Sequence, residues 1–573
     1  MATELAIEES LLGNWPRRLL HVPTMISYEW QAGNVYGGFT SPSYNAITYT
    51  WGRWKLGDDE QLESLPLTIH GVNWDLPRVN RDHFTSDMLH MMLLEITQNS
   101  PSPQSRHAST DHTMAPAEFV WLDIACIDQR IHEPKSAAEV GRQAAIFRGA
   151  SNVYIWLSRT SDSVLKPALE ELHHLVFSIK MIISGASPKD VLARDKVERI
   201  RDRLSLILVD PWFSSLWTLQ EAFLCPNAWM IGREADSAMS AIHEDPSIRT
   251  LHHLLELCRL LSANYVAISE PPREPYEEAL NIMRSTGMLA MTSGSALAVY
   301  GASAYRQATL NEDRIYGIQQ IFGFRLGNSG VATGPIENVP LRELEFQFGK
   351  HLLESHPVLS QMHVFPKPAP VGSSWLLSKM SLTPLHLNAD AADVVGLPSQ
   401  RSERASCKLS VRKVEGTTWA TFEGLVCDYV HFSTICTVAE DIEGYTLIFT
   451  YLPRQVTLYL DATSELPPLD ETLDDVEYRH RGNKRAEWLA KVFPDDQLKV
   501  LLLGSRTGNN VTLNSTVMIG LLLLRKDSLG LHHHRRLGFC SWHVNNRLLD
   551  DNPKLLVLEG SGPLWVKAAG LFG

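Results

Sequence analysis

A tryptophan and a glutamate stand four positions apart in one apolar segment of this chain. They are Trp217 and Glu221, within the run PWFSSLWTLQEAFLC at 211–225. On a helix, that spacing places both side chains on one face. An indole that desolvates a neighbouring carboxyl group raises the pKa of that group. Such a carboxyl can act as a general base or anchor sugar hydroxyls. Alternatively, the segment is an amphipathic helix with a glutamate at the rim of the core.

Three segments upstream of it have a similar composition. Each is a run of residues that favour β-strands, followed by small or polar residues. They are YNAITYTWG at 44–52, VWLDIACIDQ at 120–129, and the stretch 139–150 that leads into NVYIWLS at 152–158. Together with 211–225, and in this order, they resemble the motifs of the fungal heterokaryon-incompatibility (HET) domain, over residues 41–226. The resemblance implies a protein of fungal non-self recognition, whose response ends in growth arrest or cell death.

Single positions depart from the HET pattern. The departures are Asp128 where the family has Asn, Gln143 and Phe147 where it has Met and Tyr, and Ser215 where it has Arg. They leave the resemblance intact and leave open whether this copy is active. Further along, the segment 306–318 resembles an element often found downstream of HET domains. Its Asp313, Arg314 and Tyr316 are expected to cap a helix or pin it against the sheet.

The serine at position 215 agrees with a second, more distant pattern. Ser215, Trp217 and Glu221 are similar in type and spacing to the Ser-x-Trp-Cys-x-x-Glu helix of Toll/interleukin-receptor (TIR) domains. In TIR domains that cleave NAD, this glutamate is catalytic. The resemblance therefore implies Glu221 as the catalytic residue and NAD as a substrate, with no bound cofactor. The residues expected to line the same cleft and bind the substrate are Thr50, Trp51, Gly52, Asp123 and Trp217.

Bulk composition narrows the classes of function. The chain has 573 residues, too many for one core, and a formal net charge of −13. That charge argues against nucleic-acid binding, which needs a basic surface. Seven scattered cysteines without a Cys-x-x-Cys pair fit free thiols in a reducing compartment. Neither a signal peptide nor an apolar run long enough to span a membrane is apparent, so we expect a cytoplasmic protein.

The order of elements predicts an α/β fold, a mostly parallel sheet flanked by helices. Apolar runs at 44–50, 119–125 and 153–157 alternate with helical patterns, which is typical of adjacent parallel strands. Ligands of such sheets bind beyond the carboxyl ends of the strands. The domains expected are a lead-in at 1–40, the HET domain at 41–226, a helical extension at 227–334, and a β-rich region of unknown role at 335–573.

For other residues with reactive or metal-binding side chains, the sequence favours ordinary structural roles. Cys126 lacks a histidine placed beside it by the sequence, so a small buried hydrophobe is expected rather than a nucleophile. Contiguous histidines at 532–534 alternate in direction on a strand, so a solvated loop is expected rather than a metal site. We predict no metal site, and the chain has no phosphate-loop or dinucleotide fingerprint. Asp123, which interrupts an apolar strand, either pins a loop or lines a pocket.

Three hypotheses of function follow. The first is a HET-domain protein that cleaves NAD as a glycohydrolase-like hydrolase, with Glu221 catalytic. The second is a non-enzymatic adaptor that self-associates or binds protein partners to recruit a death pathway, with Glu221 packed in the core. The third is a sensor whose C-terminal β region restrains the HET domain. The first two differ in whether Glu221 lines an open pocket or lies sealed in the core.

Overall fold

The structure of the protein, a computed structural model, divides into two compact units. The first comprises Met1–Thr292 with Ala302–Leu344, and the second Ser293–Gly301 with Glu345–Gly573. The structure describes residues 7–8, 10–50, 56, 68–76, 78–80, 83–98, 117–128, 134–181, 194–235, 246–267, 273–292, 296–329, 339–379, 381–383, 403–440, 456–466, 488–493, 497–507, 515–528, 531–545 and 564–573.

One eight-stranded sheet organises the first unit. Its strands are β1 (Arg18–His21), β2 (Ile26–Gln31), β3 (Val35–Tyr36), β4 (Phe39–Thr40), β5 (Tyr44–Thr48), β6 (Phe119–Trp121), β7 (Val153–Trp156) and β8 (Trp229–Ile231). They lie in the order β4-β3-β2-β1-β6-β5-β7-β8. Strands β6, β5, β7 and β8 pair in parallel, and the other pairings are antiparallel. The predicted α/β class and its adjacent parallel strands are therefore confirmed.

The N-terminal segment differs from the lead-in expected at 1–40. Residues 18–40 form β1 to β4 and extend the sheet on one side. Leu19 and Leu20 are fully buried in this extension, where Leu20 pairs with Val120 of β6. The reason is that β6 would otherwise leave an unpaired edge over the apolar core, and a strand that pairs with it satisfies those backbone groups.

Helices flank the first sheet, and further helices follow it along the chain. In the part of the chain that the structure describes, the α-helices include Ser86–Gln98, Asp123–Cys126, Pro134–Val140, Gln143–Gly149, Asp162–Met181, Arg194–Leu208, Trp217–Leu224, Leu251–Ala267, Arg273–Ser285, Met288–Thr292, Ala296–Ala302, Asp313–Tyr316, Leu341–Ser355, Pro357–Ser360 and Tyr429–Glu440. The helix Arg194–Leu208 is an example of an amphipathic helix. Its Val197, Ile200 and Leu204 recur at helical spacing and form the buried face.

A second sheet dominates the second unit. Its strands are β9 (Glu403–Ala405), β10 (Lys408–Val414), β11 (Thr417–Asp428), β12 (Thr457–Leu460), β13 (Leu498–Thr507), β14 (Ser515–Ser528), β15 (Leu531–Asn545) and β16 (Val566–Phe572). The order is β10-β11-β16-β15-β14-β13-β9, and β11 also pairs with β13, so the sheet closes on itself. The predicted β-rich character of this region is confirmed.

The loop predicted for the three histidines is wrong. Residues 532–534 belong to β15 and pair with residues 525–527 of β14. The apolar strand β14 needs a partner for its backbone groups along its whole length, and pairing does not depend on the polarity of the partner's side chains. His533 is buried and His532 is exposed, as alternation on a strand requires.

Candidate functional site

The carboxyl ends of the parallel strands bring polar side chains to one edge of the sheet. Thr48 ends β5, and Thr50 follows two positions later; both are buried. Asp123 comes two positions after β6 and begins a short helix, where its carboxylate accepts a hydrogen bond from the backbone N–H of Ile124 at 2.7 Å. This edge is where ligands of parallel sheets bind.

Glu221 reaches this edge from the helix Trp217–Leu224. Its side chain is 9% exposed, and its Oε2 accepts a hydrogen bond from the hydroxyl of Thr48. The same hydroxyl oxygen accepts the indole N–H of Trp212 at 2.8 Å. An indole can only donate and a hydroxyl carries one proton. The bond from Trp212 therefore leaves the Thr48 proton directed at Glu221.

The position of the Glu221 helix is set by a buried arginine. Arg306 is 2% exposed and donates to the backbone carbonyls of Trp212 and Ser215 at 3.3 and 2.9 Å. It also donates to the hydroxyl of Thr218 at 3.0 Å, and to the carbonyl of Thr286 at 2.9 Å. The guanidinium thus ties together the turn before the helix and the first turn of the helix itself.

The turn that carries Trp212 is fixed by a second buried group, Asp210. Its two carboxylate oxygens accept the backbone N–H groups of Trp212 at 3.0 Å and Arg159 at 2.9 Å. Burial raises the pKa of Asp210, and these backbone N–H groups oppose that shift. Because Arg159 lies just beyond β7, Asp210 joins the turn to the same edge of the sheet.

The burial and charges around Glu221 bring the pKa of its carboxyl group close to neutral pH. Burial raises the pKa of Glu221 from 4.5 to about 8, and the charge of Asp123 acts in the same direction. The hydrogen bond from Thr48 and the positive charge of Arg306 lower it. A carboxyl group with such a pKa exchanges its proton near neutral pH, which suits general acid–base chemistry.

Of the other predicted site residues, the structure describes Trp217. Trp217 is half-buried, and its side chain hydrogen-bonds to Asp313, whereas the Glu221 carboxylate bonds Thr48. Trp51 and Gly52 lie outside the described residues. Burial raises the pKa of the Cys126 thiol to about 12, so this residue is a buried hydrophobe as predicted and not a nucleophile.

Three residues of the site were not identified from the sequence: Thr48, Trp212 and Arg306. Thr48 and Trp212 lie inside recognised motifs, yet nothing local shows that one hydroxyl joins them to Glu221. Arg306 opens the segment 306–318 that was singled out for its Asp313, Arg314 and Tyr316. No local signal marks Arg306 as buried, because the residues that follow it, 307–311, are exposed and lie outside any helix.

The first unit is thus an α/β domain with a buried glutamate at the carboxyl ends of the parallel strands of its mixed sheet. Residues 44–221 match the family model "Heterokaryon incompatibility protein (HET)", from the first residue of β5 to the glutamate of the site. The chain therefore contains a heterokaryon-incompatibility domain, which spans residues 44–221. Neither a comparison with curated proteins nor one with solved structures gave a match.

Two further findings concern membranes and metals. Among the helices in the described residues, none has the length and apolarity needed to cross a bilayer. Within the same part of the chain, no cluster of three or more His, Cys, Asp and Glu side chains is arranged to hold a metal ion.

Proposed function

We propose that this protein acts in the cytoplasm in fungal non-self recognition, and that its response ends in growth arrest or cell death through cleavage of NAD. The HET domain supports the first part. The observation that supports the second part, NAD cleavage, is the position of Glu221. Its buried carboxyl group is held by Thr48 at the carboxyl ends of the parallel strands. The short likeness of Ser215–Glu221 to TIR domains suggests NAD as the substrate.

In the proposed reaction, Glu221 stabilises charge and then accepts a proton. The bond between the ribose C1′ and the nicotinamide nitrogen breaks, and its electron pair leaves with neutral nicotinamide. The ribosyl centre becomes oxocarbenium-like, which a nearby carboxylate stabilises. Water then adds to C1′ and gives its proton to Glu221. A leaving group that departs neutral needs no general acid, so one carboxylate is sufficient for this reaction.

The environment of Glu221 supports both roles of this carboxylate. Burial makes the carboxylate a stronger base, and the Thr48 hydrogen bond and the charge of Arg306 oppose this rise in pKa, so that a fraction of Glu221 is ionised near neutral pH. Thr50 and Asp123 stand at the same edge of the sheet and are the described residues that we propose to contact the substrate. Trp51 and Gly52, which follow Thr50 in the same motif, complete the predicted set and lie outside the described residues.

A non-enzymatic adaptor is the second candidate function. The observation that favours it is the low exposure of Glu221, 9%, together with its hydrogen bond to Thr48 inside the unit. In this alternative, Glu221 and Thr48 join the helix Trp217–Leu224 to the sheet. The HET domain then associates with itself or with protein partners to recruit the death pathway.

An NAD-consumption assay on the purified full chain, combined with a toxicity assay in fungal cells, separates the two functions. Glu221→Gln keeps the shape of the side chain and removes its charge, so we expect loss of NAD cleavage and of toxicity. The matched control is Glu139→Gln, which alters another buried glutamate of the same unit, one that accepts the backbone N–H of Arg17 at 2.8 Å. A folded Glu221→Gln protein that remains toxic would exclude the enzymatic function and favour the adaptor.

A further inference from the structure

A cleft in the second unit contains charged groups that the proposed function does not use. It has a volume of about 230 Å³, and its charged lining comes from Lys526, His533, Arg535, Arg536, Asp461 and Glu465. Lys526 of β14 lies opposite His533 of β15, and Arg535 follows two positions later. Because side chains alternate along a strand, these three point to the same face of the sheet.

The floor of the cleft is a buried ion pair. Arg536 is 1% exposed and donates to the Asp461 carboxylate at 2.7 Å and to the carbonyl of Gln361 at 3.1 Å. The other Asp461 oxygen accepts the backbone N–H of Phe365 at 2.9 Å. A buried pair of this kind has fixed geometry, so it gives the cleft a rigid base.

Two buried polar atoms at the cleft have no hydrogen-bond partner among the described residues. One is the hydroxyl oxygen of Ser374, a residue that is 5% exposed, and the other is Nε of Arg536. A polar group that is buried without a partner costs free energy, and native proteins rarely keep one without a reason. A ligand in the cleft would supply the missing acceptor.

The charges around the cleft leave one positive charge in excess. A single oxygen of Glu465 contacts both Arg535, at 3.1 Å, and Lys526, at 3.5 Å. The Arg536–Asp461 pair is neutral as a whole. A guanidinium has five N–H donors and an ammonium three, so contact with one carboxylate oxygen leaves Arg535 and Lys526 with capacity for another anion.

We propose that this cleft binds a small organic oxyanion, a carboxylate or a phosphate ester, with its charge on Arg535 and Lys526 and a hydrogen-bond acceptor at Ser374. The volume is far above the roughly 10–15 Å³ that one water molecule needs, so the cleft admits a ligand of the size of a simple metabolite. Pro370 and Val371 also line the cleft and provide an apolar surface for its carbon atoms. The inference concerns a site separate from the HET domain and does not depend on NAD cleavage.

Titration of the full chain with two probes tests the proposal. Malonate represents the carboxylates and inorganic phosphate the phosphates, with potassium chloride at equal ionic strength as the reference. Binding to the folded state raises the Tm in a saturable way. We expect such a rise with at least one probe and none with chloride; the probe that binds identifies the class of the ligand.

Substitutions show whether the binding occurs in this cleft. Arg535→Gln should weaken probe affinity roughly tenfold or more, because it removes a charge-assisted hydrogen bond. Ser374→Ala should weaken it as well without lowering the Tm of the unliganded protein, since the hydroxyl has no partner among the described residues to lose. The control Lys413→Met removes an exposed positive charge from β10 and should leave affinity unchanged.

The proposal would be overturned by two results. One is the absence of saturable binding of either probe at millimolar concentration. The other is binding that Arg535→Gln and Ser374→Ala leave at the parental affinity. Because Ser374→Ala removes only an unpaired hydroxyl, its result is informative even if Arg535→Gln fails to fold.

Discussion

Thr48 and Glu221 stand 173 positions apart in the sequence and share one hydrogen bond at the carboxyl end of β5. The Thr48 hydroxyl is in turn held by the indole of Trp212. The bond therefore joins the first strand of the HET motif to the helix that ends it. It also gives Glu221 a defined donor, which is a property of both a catalytic carboxylate and a structural one.

Thr48→Val should destabilise the HET domain and raise the pKa of Glu221. The substitution keeps the branched shape but removes the hydroxyl, so the indole N–H of Trp212 loses an acceptor and Glu221 loses a donor. We expect a loss of about 1–3 kcal/mol in the free energy of unfolding, measured by urea denaturation. Thr48→Ser is the matched control, because it keeps the hydroxyl. Equal losses in Thr48→Val and Thr48→Ser would show that the methyl group matters and the hydroxyl does not.

Arg306→Lys should destabilise the same unit although it conserves the charge. An ammonium group cannot reproduce the fork with which Arg306 reaches the carbonyl of Ser215, just before the helix Trp217–Leu224, and the carbonyl of Thr286, just after another helix. We expect a loss on the order of 3 kcal/mol. Arg201→Lys is the control, because Arg201 forms ion pairs on the surface, where such exchanges change stability by less than about 1 kcal/mol. Similar unfolding midpoints for the two variants would contradict a positioning role for Arg306.

The sequence predicts the parallel strands better than it predicts the contacts between them. Strands β5, β6 and β7 are buried over most of their length, so each appears in the sequence as an apolar run. Strand β2 was missed because only one of its residues, Ser27, is buried, so no apolar run marks it, and β15 was missed because its first residues are polar. Arg306 lies 91 positions from Ser215, one of its partners. No local periodicity encodes a bond over such a separation.

Trp121→Ala should cost more stability than truncation of a less buried tryptophan. Trp121 ends β6, is 1% exposed, and packs edge-on against Phe147 with ring centroids 5.3 Å apart. Deleting a buried indole leaves a cavity, and we expect a loss of about 3–5 kcal/mol. Trp30→Ala, on the half-buried strand β2, is the control and should cost about 1 kcal/mol. Thermal and urea unfolding check the difference. A Trp121→Ala protein as stable as the control would contradict the burial of β6.

Glu221 should make the protein less stable as the pH rises. Its pKa is raised from 4.5 to about 8, chiefly by burial. Between these two values the native state holds a proton that the unfolded state has released, so the free energy of unfolding falls with increasing pH. Below pH 4.5 the group makes no difference, because both states are protonated. Above pH 8 the penalty is complete, at most about 5 kcal/mol.

Glu221→Gln removes this titration while it keeps the shape of the side chain. We expect the variant to resemble the parent near pH 5 and to exceed its free energy of unfolding near pH 9, measured by urea denaturation over a series of pH values. Glu139→Gln serves as the control, because the Glu221 titration is intact and the parental fall between these pH values should persist. If Glu221→Gln showed the same fall as the parent, Glu221 would be ionised in the folded protein across this range. The Thr48 bond and Arg306 would then outweigh burial, and the carboxylate would stand ready to stabilise a cation without first losing a proton.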